Sequence, residues 1–120
     1  MNNKLTHTIL LLSMLSLEIQ ADMIYPYFAS KERSELIING YRKVLIGDSE
    51  EVVLKKLTNP DEIGKLYEPK IYKPKIIGKT YWYILQRISN SGSVNEKKEK
   101  LVRVTFDLEN IVTRVDHWGF

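Results

Sequence analysis

The alternation in the last third of the chain constrains the fold most. From Leu101 to Leu108, Val102, Val104, Phe106 and Leu108 are apolar, while Arg103, Thr105 and Asp107 are polar. Successive side chains on a strand point to opposite faces, so this run predicts a strand with one buried face and one wet face. Ile111 to Trp118 reads as a second strand. Glu109-Asn110 between them reads as a tight hairpin turn, because Asn tolerates positive φ. Upstream, Thr80 to Ile88 is dense in β-branched and aromatic residues and predicts a third strand. Trp82, Ile84 and Ile88 would share one face, and Tyr81, Tyr83 and Leu85 the other. With both faces apolar, that strand reads as central or covered. Asn90 to Ser93 reads as a loop, and Asn95 to Lys100 as a charged hairpin arm.

Two helices are expected before the strands. Ser30 can cap a helix from about Lys31 to Asn39, with Glu32 in the first turn where the helix dipole favours an acid. Ile37, Tyr41 and Val44 fall at the spacing of one helical face, and Gly40 is expected to end or bend the helix. Asp48 and Glu51 form a capping-box-like pair ahead of a second helix, about Ser49 to Leu57, whose apolar face is Val52, Val53 and Leu57. Pro60 stops it. The order helix, helix, strand, strand, strand predicts an α+β domain at 30–120. Two N-terminal helices would pack on one face of an antiparallel three-stranded meander.

The segment before this domain reads as an address. Met1 to His7 is short and polar with one basic side chain, Lys4; Thr8 to Leu17 is an apolar run of ten residues; and Ala21 offers a small residue at a cleavage site. That order is the pattern of a secretory signal peptide at 1–21. The run is too short to span a bilayer, which takes ~20 apolar residues. Asp22 to Ala29, with Pro26, reads as an extended lead-in. The expected compartment is the periplasm or the extracellular space. The chain has no cysteine, which excludes disulfides, thiolate metal sites, a Cys nucleophile and a Cys-linked lipid anchor.

Residues 61–79 form a connector that holds Pro69 and Pro74 and interleaves Lys65, Lys70, Lys73 and Lys75 with Tyr67 and Tyr72. Connectors of this length are often binding loops. The net charge of the whole chain is only +3, so the basic character is local. Basic residues with interleaved aromatics suit nucleic acid, but an exported protein meets other surfaces. The partners expected are an acidic protein surface in the cell envelope and, peripherally, anionic lipid headgroups. Lys65, Lys70, Tyr72, Lys73 and Lys75 are the candidate contact residues. Tyr81 and Tyr83 are candidate aromatic anchors on an open sheet face.

The residues argue against the common catalytic centres. His117 is the only histidine outside the expected leader, and Asp116 beside it would point to the opposite face of a strand. One histidine cannot build the usual zinc sites. Asp107, Glu109 and Asp116 lack the spacing of a calcium loop. Gly78-Lys79-Thr80 matches only the tail of a phosphate loop, since Lys73 stands where the first glycine belongs. No cofactor, metal site or enzymatic activity is expected.

Several short motifs resemble a known family. Ile46 to Val52 (IGDSEEV), Leu57 to Glu62 (LTNPDE), Trp82-Tyr83, Val104 to Asp107 (VTFD) and Asn110 to Val112 together look like the SmpA/OmlA (BamE-like) family, over roughly residues 41–115. Thr58 replaces that family's turn glycine, Asp48 its frequent methionine, and the lipid-bearing cysteine is missing. The resemblance implies a non-enzymatic envelope domain that works by protein–protein contact, as an outer-membrane assembly factor does. The same helix-and-meander shape recurs in β-lactamase-inhibitor-like proteins. That implies the alternative, a periplasmic inhibitor or immunity protein that blocks an enzyme.

Overall fold

The computed structural model describes residues 23–70, 72–88 and 99–120. The expected leader, the Asn90 to Ser93 loop and most of the charged arm lie outside the described residues. In chain order the elements are β1 (Tyr27–Phe28), α1 (Lys31–Tyr41), α2 (Glu50–Leu57), β2 (Glu62–Tyr67), β3 (Ile76–Arg87), β4 (Lys100–Asp107) and β5 (Val112–Trp118). All strand pairings are antiparallel.

The three-stranded meander is corrected to a five-stranded sheet. β3 is central: β4 pairs along one side, and β5 follows β4. On the other side of β3, β2 pairs with its first half and β1 with its last residues. The helices are therefore not the first elements, because part of the lead-in has already joined the sheet as β1. The connector is corrected too. Glu62 to Tyr67 and Ile76 to Lys79 form a hairpin arm, with Ile63 opposite Tyr81 and Lys65 opposite Lys79. Gly78 sits within β3 because the β4 backbone approaches closely there. A Cβ at 78 would run into the Phe106 carbonyl oxygen.

Both helices cover one face of the sheet. Ile37, Val44, Val53 and Leu57 pack on Tyr81, Tyr83, Leu85, Val102, Val104, Phe106 and Val112. Ser30 caps α1 by accepting the Arg33 N–H at 3.1 Å. Gly40 does not end α1. It is buried in the last turn, where a Cβ would overlap the Lys56 carbonyl oxygen and stand 2.8 Å from Leu57 Cδ2. Its missing side chain lets α2 cross close to α1. The cap of α2 is Ser49, which accepts the Val52 N–H, rather than Asp48. Asp48 Oδ2 instead accepts the Leu45 N–H at 2.9 Å and the Lys56 ammonium at 2.8 Å. These bonds, the backbone one foremost, hold its carboxyl below the usual carboxylate range.

Thr58, at the end of α2, has φ 65° and ψ −165°. That region is almost confined to glycine and costs other residues on the order of 1–3 kcal/mol. Two bonds hold it there: its N–H donates to the Leu54 carbonyl at 2.8 Å, and its own carbonyl accepts the Tyr83 hydroxyl at 2.9 Å. Leu108, expected to face inward, is 64% exposed. The turn starts one residue earlier than the alternation suggests, because Asp107 Oδ1 accepts the N–H groups of Glu109 and Ile111. Asn110 takes the positive φ, 61°.

Candidate functional site

The expected contact residues separate into two environments. Tyr81 and Tyr83 are 4% and 0% exposed, in the core beneath the helices. The placement of Tyr81 and Tyr83 as surface anchors is thus corrected: the helices cover the face they occupy. Their hydroxyls have structural partners. Tyr81 donates to Glu50 at the start of α2, and Glu50 also receives the Lys79 ammonium. Burial pushes the Tyr81 hydroxyl pKa up, and the Glu50 carboxylate adds to that. Burial alone would also raise the Glu50 pKa, but the bonds from Lys79 and Tyr81 outweigh it and keep the carboxyl below its usual range. This cluster ties α2 to the sheet.

The lysines lie outside that core, on the β2–β3 arm. Lys70 is 3.5 Å from the Glu68 carboxylate. Lys65, Lys73 and Lys75 are exposed and have no ion pair among the described residues. Tyr72, at the end of the arm, is 85% exposed. Between Lys65 and Lys75 the described residues carry four lysines against one glutamate, a local charge of +3. The arm also exposes Ile63, Tyr67, Ile76 and Ile77. Apolar and cationic groups therefore share one surface, a composition suited to binding an acidic partner with apolar contacts.

An open groove of about 350 Å³ lies where the arm meets the β4–β5 turn. Ile63, Lys65, Ile76 and Leu108 are among its lining side chains, and Gly64 and Gly78 contribute none. The lysines could be read from composition. The groove could not, since Ile63 and Leu108 are 45 positions apart in the chain and meet only through the sheet register.

A second cluster occupies the sheet face without helices. The Trp82 and Trp118 rings stack with centroids 6.0 Å apart, and the Arg103 guanidinium lies 5.3 and 5.0 Å from them. Arg103 donates to Asp116 at 2.8 Å, and Arg114 donates to the other oxygen of the same carboxylate at 2.9 Å. Burial works against the Asp116 charge, but the two guanidiniums hold its pKa low. The cluster is internally satisfied. Ile84 and Leu101, paired on this face, are fully buried.

The remaining candidate residues, His117, Asp107, Glu109 and Asp116, do not come together. His117 packs against the rings of Tyr41 and Phe120, on the face opposite Asp116. Asp107 is occupied by its own turn and Asp116 by arginines, so the three acids of this hairpin do not converge. Among the described residues no group of three or more His, Asp or Glu side chains could hold a metal ion. No helix among them is long and apolar enough to cross a membrane. No family model, curated protein or solved structure matches the chain. The SmpA/OmlA resemblance accordingly extends no further than its short motifs.

Proposed function

We propose that this chain is an exported protein-binding domain that engages an acidic partner in the cell envelope through its β2–β3 arm. The observation that carries the reading is the arm itself: three lysines with no ion pair among the described residues, Lys65, Lys73 and Lys75, beside exposed Tyr67, Tyr72, Ile76 and Ile77. Exposed charge of one sign steers association and fixes orientation, and the aromatic residues supply area at low entropic cost. The leader pattern supports export, and the short SmpA/OmlA-like motifs support an envelope role.

Site-specific photo-crosslinking in the producing cell tests the reading. A photoreactive side chain in place of Tyr72 should yield one dominant protein adduct, and the same group in place of Arg114, on the opposite edge strand, should yield none. Adducts from position 114 with none from position 72 would move the interface to the other side of the sheet. If the adduct partner is an enzyme that loses activity on binding, the domain is an inhibitor or immunity protein. A partner built into a stable assembly makes it an assembly factor.

A further inference from the structure

The groove at the base of the arm has a wall chemistry unlike the tip. Ile63 is 65% exposed, and with Ile76 and Leu108 it presents aliphatic surface in a groove that Lys65 also lines. The volume, about 350 Å³, lies at the small end of the range for ligand pockets. Its other charged groups are already committed. Lys79 is bound by Glu50, and Asp107 by the turn N–H groups. Among the described residues, Lys65 is the cation of the site without an ion pair. β2 is also an edge strand, paired only with β3, so among the described residues its outer side has no strand beside it. Edges of this kind accept an added strand from a partner.

Resting on the reading above, we infer that the groove seats one bulky apolar side chain of an acidic, extended partner segment lying along the outer edge of β2. Its flanking carboxylates face Lys65, Lys73 and Lys75. The aliphatic walls favour an apolar anchor, and the charge of the arm favours acidic neighbours. The free edge favours an extended segment over a helix, because strand addition satisfies backbone groups that a helix keeps to itself.

The test uses two labelled acidic peptides, one with a central phenylalanine between glutamates and one with alanine at that place. Binding to the full mature protein is followed by fluorescence anisotropy at low salt. Phosphatidylglycerol vesicles serve as a separate probe. The phenylalanine peptide should bind about tenfold or more tightly than the alanine peptide, as expected for burying an aromatic side chain. Ile63→Ser and Leu108→Ser should each reduce that preference while leaving the melting temperature unchanged, since both side chains are exposed. Lys65→Glu should weaken both peptides together. Equal affinity for the two peptides overturns the groove assignment and leaves the basic-arm reading standing. Binding to the vesicles with no binding of either peptide overturns both.

Discussion

Truncating Phe106 to alanine is expected to cost ~3–5 kcal/mol, the range for removing a fully buried aromatic ring. Phe106 is 0% exposed, and its ring meets that of Tyr81 at 4.8 Å and 66°. It packs in the cluster that joins the helices to β3, β4 and β5. A domain of this size has only ~5–15 kcal/mol of stability. Thermal unfolding followed by circular dichroism should therefore shift down by about 12 °C or more, at ~4 °C per kcal/mol. An unchanged melt would mean that β4 is displaced by one residue, with Phe106 on the outer face.

Gly40→Ala is the second large effect, and two terms compete in it. Alanine is a better helix former than glycine by ~1 kcal/mol, so propensity alone predicts a more stable protein. The steric term has the opposite sign. The new Cβ would overlap the Lys56 carbonyl oxygen, a backbone atom that cannot rotate aside, and would press on Leu57 at 2.8 Å. Leu57 is itself fully buried, so α2 must move as a body. Overpacking of this kind costs about 1–3 kcal/mol and more where backbone is struck. Sterics should win, with a net loss of about 1–2 kcal/mol in denaturant unfolding. A gain in stability would show that α1 and α2 do not cross at Gly40.

The sequence reveals elements whose burial is one-sided and hides those made by pairing. β4 was legible because Val102, Val104 and Phe106 alternate with polar residues, and α2 because Val53 and Leu57 repeat at helical spacing between a cap and a proline. β2 was not, since Glu62 to Tyr67 contains a glycine and a lysine and leaves Glu62, Ile63, Lys65 and Tyr67 exposed. Its strand character comes from β3 beside it, and β-propensity depends on that context. β1 is two residues long and follows a proline, too little for any periodicity. Tyr81 and Tyr83 misled for another reason. Both faces of β3 are apolar, and a period of two does not say which face the helices will cover. At the site, the lysines and Tyr72 could be read directly, whereas the groove depends on the register of β2 and on a turn that begins at Asp107.

If Lys65, Lys73 and Lys75, which have no ion pair among the described residues, hold the partner, reversing their charge must weaken its binding. The affinity of the crosslinked partner is compared for the natural protein and for the triple variant Lys65→Glu, Lys73→Glu, Lys75→Glu, at low ionic strength and at 1 M salt. The expected loss is at least about tenfold at low ionic strength. The difference should shrink at 1 M, where screening limits charge interactions to roughly 3 Å. The melting temperature should stay the same, because exposed charges contribute only ~0–1 kcal/mol to folding. An affinity unchanged by the triple reversal at low salt would contradict the account and place the interface elsewhere on the domain.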